Sequence, residues 1–172
     1  MFQLQDQVTR RIIIAQCCPD AGHLRRCRPA AGTDAINQLF SQLMAARFVE
    51  LTADNPFVVP VPLHRWRYWR RRFNQSAELA RYLCQHYERG VYAPDLLIRH
   101  RATKSQGGLS RQARKRNLTG AFIPSPTAAQ TLRGHPVLLV DDVMTTGATL
   151  QAATSCLRRA GEIRALTIAR VI

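Results

Sequence analysis

One stretch of the sequence, residues 137–150, constrains the fold more than any other. It opens with four consecutive aliphatic residues, the pattern of a strand that is buried on both faces in a parallel sheet. Two adjacent carboxylates, Asp141 and Asp142, follow where that strand is expected to end. A Thr-Thr-Gly-Ala-Thr turn comes next, and apolar residues at helical spacing then predict a helix that ends before Gly161. This order of elements is typical of a phosphate site with a diol site beside it.

The turn after the acidic pair has the chemistry of a phosphate site. A helix N-terminus leaves its first backbone N–H groups unpaired and carries a partial positive charge, so it suits an anion. Gly147 lets the backbone approach that anion without a Cβ in the way. The predicted phosphate-binding residues are Thr145, Thr146, Gly147, Ala148 and Thr149.

The two carboxylates need a different task, because they would repel a phosphate placed directly on them. As hydrogen-bond acceptors, Asp141 and Asp142 suit the hydroxyls of a ribose whose 5-phosphate lies in the turn. They are also the predicted magnesium ligands, with the ion held through water. Acidic pairs at strand ends also occur in phospho-acceptor domains and metal phosphatases, so the prediction depends on the threonine-rich turn attached to this pair.

The length and composition predict one domain of ordinary size. The 172 residues are 46% hydrophobic, and no apolar run approaches the roughly 18 residues of a membrane helix. Ile12-Ile13-Ile14 is too short for a signal-peptide core, so we expect a cytoplasmic protein. Cys84 and Cys156 lie in predicted helices and are interpreted as buried apolar residues. The alternative for the remaining cysteines is a zinc site built from Cys17, Cys18, Cys27 and His23.

The formal charge of +14 admits two interpretations. It comes from 25 basic residues, of which only Lys104 and Lys115 are lysines. A basic surface neutralises phosphates, so contact with nucleic acid is one interpretation. The other is that an enzyme that handles phosphates needs several arginines, and that a GC-rich genome favours arginine over lysine.

Residues 1–32 are expected to form an irregular segment, because proline and glycine interrupt them repeatedly and no periodicity extends beyond the isoleucine triplet. From Thr33 an amphipathic pattern predicts a helix to about Glu50 that packs on the main domain. The predicted domain therefore spans residues 33–172.

Residues 57–63 are apolar and β-branched and predict the first core strand, although their two prolines indicate an unpaired edge or an early end. Arginines interleaved with aromatic residues follow over residues 64–76. Such a segment binds either nucleic acid, through backbone contacts and stacking, or pyrophosphate. Because a loop after a core strand of an α/β sheet belongs at the active-site end, pyrophosphate is favoured.

The second half of the chain contains further predicted elements. A helix is expected between about Phe73 and Gly90, and a short strand at residues 96–98. The basic segment 99–118 contains a Gly-Gly hinge and is interpreted as a lid that closes over an anionic substrate and expels water, with a solvated basic surface as the alternative. Residues 121–123 predict a short strand, and residues 163–172 a last strand at or near the edge of the sheet.

Three separated motifs resemble those of the ComF/GntX family. The first is Val-Pro-Val-Pro-Leu (residues 59–63), followed by an arginine-rich stretch that ends in Phe-Asn-Gln (73–75). The second is an Arg-x-Arg-x-Thr-x-x-Gln pattern (99–106) that continues to Asn-Leu (117–118). The third is Asp-Asp-Val-x-Thr-Thr-Gly (141–147). The last one is similar to the fingerprint of the type I phosphoribosyltransferases at every position. The resemblance covers roughly residues 42–172. It implies an α/β fold with a mostly parallel twisted sheet and helices on both faces, and a site for phosphoribosyl pyrophosphate (PRPP) and Mg²⁺.

The resemblance predicts a phosphoribosyltransferase-like protein that transfers phosphoribose to an unidentified nitrogen nucleophile and releases pyrophosphate. Asp141 and Asp142 are then the catalytic residues, which hold the ribose diol and the metal shell. The predicted pyrophosphate-binding residues are Arg65, Arg67, Lys104 and Arg111. Some family members are associated with competence, which is the uptake of DNA. The alternatives are therefore a non-catalytic regulator that binds PRPP and an accessory protein of DNA uptake that contacts nucleic acid.

Two features depart from the family pattern. Members usually carry an N-terminal zinc ribbon with four cysteines, and this sequence has no such ligand set. We hypothesise a truncated or wrongly framed N-terminus, which mass spectrometry of native peptides covering residues 12–32 would refute. Arg72 stands where relatives usually place glycine before Phe-Asn-Gln, which puts the shape of the first loop in doubt.

Overall fold

The computed structural model describes residues 2–5, 11–18, 33–63, 74–103, 111–144 and 146–170. The strands in these residues are β1 (Phe2–Gln5), β2 (Arg11–Cys18), β3 (Phe57–Pro60), β4 (Val91–Tyr92), β5 (Leu97–Arg99), β6 (Phe122–Pro124), β7 (Val137–Met144) and β8 (Ile163–Arg170). The helices are α1 (Thr33–Leu51), α2 (Gln75–Tyr87), α3 (Arg111–Leu118), α4 (Ala128–Thr131) and α5 (Ala148–Cys156), and a 3₁₀ turn (Pro94–Leu96) precedes β5.

The main sheet has six strands in the order β1-β2-β8-β7-β3-β4. Every neighbouring pair in it is parallel except β1 with β2. β5 and β6 pair antiparallel as a separate ribbon. Parallel neighbours need crossover connections, and helices supply them in this chain. The prediction of a mostly parallel α/β sheet is confirmed.

Helices cover both faces of the main sheet, because its central strand is apolar on both sides. Along β7, Val137 and Leu139 pack in one core together with residues of α5, whereas Leu138 and Val140 pack in the other with α1 and α2. All four side chains are fully buried. Successive side chains of a strand point to opposite faces, so an unbroken aliphatic run requires cover on each face. The prediction of helices on both faces is confirmed.

β3 tolerates its terminal proline because of the direction in which its N–H groups point. Val61, just after the strand, donates a backbone hydrogen bond of 2.9 Å to Val140 of β7. Alternate N–H groups of a strand face opposite neighbours, so the missing N–H of Pro60 falls on the β4 side. β4 pairs only with the first two residues of β3, and Pro60 therefore interrupts no ladder bond.

The prediction of an irregular segment over residues 1–32 is wrong for β1 and β2. β2 runs parallel to β8 with Ile13 opposite Arg164, and so belongs to the same sheet as the rest of the chain. Three β-branched isoleucines supply the strand propensity, and β8 supplies the partner that no local pattern reveals. As a consequence β8, which was expected at or near the edge, lies inside the sheet between β2 and β7. Residues 19–32, with His23 and Cys27, lie outside the described residues.

The helices begin and end close to the predicted positions. α1 ends at Leu51 and was predicted to end at about Glu50. α2 ends before Glu88, whose left-handed backbone (φ 50°) closes it two residues earlier than the expected Gly90. In the part of the chain that the structure describes, no helix combines the length and the apolar character needed to cross a membrane.

Candidate functional site

The two halves of the main sheet wind in opposite directions from a point between β3 and β7. The connection from β3 through α2 leads to β4 on one side, whereas the connection from β7 through α5 leads to β8 on the other. Ligands of open α/β sheets bind in the crevice outside the carboxyl ends of the strands at such a switch point. The last ladder pair of β3 and β7, Pro60 with Val140, marks that crevice here.

The acidic pair lies inside β7 and not after it. Pairing with β8 continues as far as Met144, opposite Arg170, so the strand extends past its predicted end. On the other side the ladder with β3 stops at Val140. Asp141 is therefore the first residue of β7 beyond the end of β3, where the crevice begins.

Asp141 is a buried carboxylate with two donors on one of its oxygens. Its Oδ1 accepts hydrogen bonds from Ser76 Oγ at 3.2 Å and from the backbone N–H of Asp142 at 3.0 Å. Burial raises the pKa of the Asp141 carboxyl well above its ordinary value, and the charge of Asp142 adds to the rise. The hydrogen bonds from the Asp142 N–H and from Ser76 oppose it. A ligand that brings hydroxyl donors or positive charge to this carboxylate would offset the cost of its burial.

Asp142 is half-buried, and its Oδ1 accepts a hydrogen bond of 2.7 Å from the backbone N–H of Val143. Among the described residues, no cluster of three or more His, Cys, Asp or Glu side chains is placed to hold a metal ion. A pair of carboxylates nevertheless fits Mg²⁺, which keeps several of its waters and is bound by one or two carboxylates together with substrate phosphates. Asp141 and Asp142 are the residues that would hold it.

The turn into α5 has Gly147 directly before the helix. Gly147 is left-handed, with φ 73° and ψ 2°, a conformation that residues with a Cβ adopt at a cost. The hydrogen bond from Gln151 N–H to Gly147 O, at 2.9 Å, opens the helical ladder and leaves the preceding N–H groups outside it. Thr146 Oγ1 accepts a long hydrogen bond of 3.4 Å from the N–H of Ala148. This helix terminus faces the same sheet edge as the acidic pair, since it follows directly from β7.

The structure describes only part of the predicted site. Thr149 is half-buried in the first turn of α5. Arg111 is the first residue of α3, and its side chain is outside the description. The predicted residues that lie outside the described residues altogether are Arg65, Arg67, Lys104 and Thr145. The pyrophosphate-binding residues therefore stay a prediction.

The start of α2 contributes two residues that the sequence analysis does not identify, Asn74 and Ser76. Asn74 Nδ2 donates to the backbone carbonyl of Val61 at 3.2 Å. The backbone carbonyl of Asn74 accepts two backbone N–H groups of α2, at 3.0 Å each. Ser76 donates to Asp141, as described above. The sequence signal that could have identified these two residues is the Phe-Asn-Gln motif, because Asn74 lies in it and Ser76 follows it directly. Asn74 and Gln75 of that motif lie at the start of α2, next to Ser76, which bonds to the acidic pair.

The basic segment 99–118 leaves β5 and returns next to its starting point. Arg101 Nη2 donates to Asn117 O at 2.8 Å and to Thr119 O at 2.7 Å, where α3 ends. β5 and β6 then pair, which joins the two ends of the segment a second time. The helical part of the segment is confirmed as α3. The interpretation as a lid stays a prediction, because residues 104–110 lie outside the described residues.

Comparison with known proteins gives the same family as the sequence motifs. The family model described as phosphoribosyl transferase domain matches residues 76–170, which is more than half of the chain. DNA utilization protein YhgH of Escherichia coli is 39% identical over 107 residues, which cover 60% of this chain and 44% of that protein. Competence protein F of Haemophilus influenzae is 39% identical over 121 residues, 66% of this chain and 49% of that protein.

A more distant relative, competence protein ComFC of Bacillus subtilis, is 33% identical over 132 residues, 76% of this chain and 50% of that protein. The chain thus spans about half the length of the curated relatives it matches. The matched residues contain Ser76, β7 and α5, which line one side of the crevice. The chain belongs to the phosphoribosyl transferase domain family and is a phosphoribosyltransferase-like protein of the ComF type.

Proposed function

We propose that this chain binds PRPP together with Mg²⁺ at the crevice between β3 and β7 and transfers its phosphoribosyl group to a nitrogen nucleophile. One observation carries the proposal: a buried acceptor, Asp141, lies on β7 at the switch point, and the helix terminus headed by Gly147 comes shortly after that strand. A ribose 5-phosphate matches both, since its hydroxyls can donate to the first and its phosphate can bind the second. Membership of the phosphoribosyl transferase domain family supports the same ligand.

In this proposal the 5-phosphate lies on the N-terminus of α5 and the ribose hydroxyls donate to Asp141 and Asp142. The 1-pyrophosphate is then proposed to bind residues of the two basic segments, 64–76 and 99–118. The residues proposed to receive it are Arg65, Arg67, Lys104 and Arg111. Their positive charge suits a leaving group whose negative charge grows as it departs.

The proposed reaction is a displacement at C1 of the ribose. The nitrogen nucleophile forms a bond to C1, the bond from C1 to the pyrophosphate oxygen breaks, that oxygen keeps the electron pair, and the nitrogen loses its proton. The transition state resembles an oxocarbenium ion, so the chain's task is positioning and charge stabilisation. Asp141, held by Ser76, fixes the sugar while the turn at Gly147 fixes its phosphate. Mg²⁺, when bound, neutralises charge on the departing pyrophosphate.

A non-catalytic regulator would use the same crevice to bind PRPP without turning it over. Pyrophosphate release, measured against a panel of bases and amines, separates the two possibilities. We expect release that depends on one class of nucleophile. Tight PRPP binding without release for any member of the panel would support the regulator instead.

Contact with nucleic acid is a second candidate function, and two observations favour it. The charge of +14 is large for 172 residues, and the relatives are named for DNA utilization and competence. A related role in DNA uptake, in the cytoplasm, is therefore proposed alongside the PRPP site. A gel-shift titration over a range of salt concentrations tests it, because binding through phosphates weakens steeply as salt rises. Absence of a shift at low salt would refute this second function and leave the first one standing.

Isothermal titration calorimetry with PRPP and Mg²⁺ tests the primary proposal. The wild-type chain should bind PRPP, and the double variant Asp141→Asn, Asp142→Asn should not. Ribose 5-phosphate serves as the comparison ligand, since it lacks the pyrophosphate and should bind more weakly.

A further inference from the structure

Thr167, in the middle of β8, is a fully buried polar residue with an unusual environment. Its Oγ1 makes no hydrogen bond to any residue that the structure describes. Buried hydroxyls nearly always have a partner, because an unsatisfied one loses its bonds to water and gains nothing in return. An exception of this kind calls for a physical reason.

The register of the sheet places Thr167 beside the acidic pair. Thr167 is the Cα partner of Asp141 in the parallel ladder of β7 and β8. Partners in a parallel ladder present their side chains on the same face of the sheet, a few ångströms apart. On its other side the ladder partner is Gln16 of β2. A hydroxyl donor thus stands next to the carboxylate that carries the proposed ribose contact.

Asp141 has capacity for another donor. Both of its hydrogen bonds described above, from Ser76 and from Asp142 N–H, end on the same oxygen, Oδ1. A carboxylate accepts up to about four hydrogen bonds over its two oxygens. The other oxygen, Oδ2, can accept a further donor while Ser76 stays bonded to Oδ1, and Thr167 lies on the same face of the adjacent strand.

We propose that Thr167 is a positioning residue for Asp141, whose buried hydroxyl donates to the carboxylate when the acidic pair takes up the hydroxyls of a bound ribose. This inference rests on the proposed function, because it concerns the same ligand. Thr167 does not touch the ligand. It holds one oxygen of Asp141 so that the other is free to accept, and among the described residues it has no other hydrogen-bond partner.

Three variants test this role. Thr167→Val keeps the shape of the side chain and removes the hydroxyl, whereas Thr167→Ser keeps the hydroxyl. Thr154→Val is the matched control, since Thr154 is equally buried but its Oγ1 donates to Leu150 O within its own helix, at 2.8 Å. PRPP affinity is measured by calorimetry with Mg²⁺, and the melting temperature is measured on the same samples without ligand.

Thr167→Val should bind PRPP about 10-fold more weakly, as expected for loss of one hydrogen bond to a charged acceptor, while its melting temperature equals or exceeds that of the wild type. Thr167→Ser should restore the affinity. Thr154→Val should show the opposite pattern, with a lower melting temperature and unchanged affinity. A structural role alone would not weaken binding while preserving stability.

Wild-type affinity in Thr167→Val would overturn the inference and leave the proposed function intact. Equal losses in Thr167→Val and Thr167→Ser would overturn it as well, because they would assign the effect to packing. A wild-type chain that fails to bind PRPP would instead overturn the proposed function, and the inference with it.

Discussion

Ser76 and Asp141, 65 residues apart in the sequence, are joined by a buried hydrogen bond of 3.2 Å from the Ser76 hydroxyl to the Asp141 carboxylate. The bond connects the first turn of α2 to the central strand β7 at the carboxyl edge of the sheet. It fixes the direction of a carboxylate that burial would otherwise drive to its neutral form. Asp141 is therefore held by α2, a helix that lies outside the strand, turn and helix of residues 137–150.

Ser76→Ala should weaken PRPP binding. Without the hydroxyl the Asp141 carboxylate loses a donor that orients it and lowers its pKa, so the ionised form that accepts ribose hydroxyls becomes rarer. We expect an affinity about 10-fold lower, within the range for a hydrogen bond to a charged group. Ser125→Ala is the control, because Ser125 is also buried but its hydroxyl accepts a local bond from the N–H of Ala128, three residues further along the chain. Equal affinity in both variants would contradict the assigned role of Ser76.

Asp141→Asn should make the chain more stable in the absence of ligand. The folded-state pKa of Asp141 is raised, so its contribution to stability is present below the unfolded pKa of about 3.9 and is lost as the pH rises through the folded value. The free energy of unfolding of Asp141→Asn should therefore exceed that of the wild type by an amount that grows with pH above about 4 and then levels off. Its size is about 1.4 kcal/mol for each unit by which the pKa is raised. Urea unfolding of both chains between pH 4 and pH 8 measures it.

An advantage that does not change with pH would show that the carboxylate of Asp141 is not the cause. A loss of stability in Asp141→Asn at pH 7 would contradict the account of this residue, because it would mean that the charge stabilises the fold. The stabilised variant should also fail to bind PRPP, so that stability and binding move in opposite directions.

The strand, turn and helix around residues 137–150 could be predicted because each signal in them is local. Four aliphatic residues in a row need cover on both faces, and a glycine just before an apolar helical pattern indicates a turn that leads into the helix. Gly147 and the buried side chains of β7 confirm both points. The same holds for α1 and α2, whose apolar spacing is visible without knowledge of their neighbours.

What the sequence did not reveal depends on contacts between distant segments. β2 is a strand because β8 lies beside it, and the Ser76–Asp141 bond joins a helix to a strand of the sheet. The short runs at residues 96–98 and 121–123 predicted strands correctly, yet they pair with each other outside the main sheet. Short apolar runs indicate that a strand exists but do not indicate its partner.

Arg164 and Asp54 form an ion pair that links the start of β8 to the end of α1. Arg164 donates to both carboxylate oxygens of Asp54 at 2.6 Å, to Glu162 Oε2 at 2.9 Å and to Leu51 O at 2.8 Å. The hydrogen bond to Arg164 lowers the pKa of Asp54. The stability it confers is therefore present above the unfolded pKa of about 3.9 and is lost as the pH falls through the folded value.

Asp54→Asn should accordingly lower the free energy of unfolding at pH 7 by about 1 kcal/mol, a value kept small because Asp54 is partly exposed and screened by solvent. The difference from the wild type should shrink below about pH 4. Glu50→Gln, which removes the exposed ion pair of Glu50 with Arg47, is the control and should change nothing measurable. Denaturant unfolding at pH 7 and pH 3 distinguishes them, and an effect of Asp54→Asn that is as large at pH 3 as at pH 7 would rule out the ion pair as its cause.

Gly161→Ala should destabilise the fold through a backbone clash. A Cβ at Gly161 would lie 2.3 Å from Gly134 O, and that carbonyl cannot move easily. Hydrogen bonds from Gly161 N–H to His135 O, at 2.8 Å, and from Gly134 N–H to Arg159 O, at 2.9 Å, hold the two loops together. We expect a loss of about 3 kcal/mol, typical of an overpacked site with no room to relax.

Gly120→Ala provides the comparison, because Gly120 is left-handed (φ 66°) and a Cβ there would meet nothing within 4 Å. It should lose only about 1 kcal/mol, the cost of the backbone conformation. Equal losses for the two variants in thermal unfolding would show that conformation and not the clash determines the effect.

The central claim is that the crevice between β3 and β7 binds PRPP through the acidic pair of β7 and the turn into α5. Calorimetric titration of PRPP in the presence of Mg²⁺ tests it most directly, with the wild-type chain compared with the double variant Asp141→Asn, Asp142→Asn. We predict saturable binding by the wild type and none by the double variant, although that variant should remain folded and be at least as stable. Unchanged PRPP affinity in the folded double variant, or no binding by the wild type, would contradict the account.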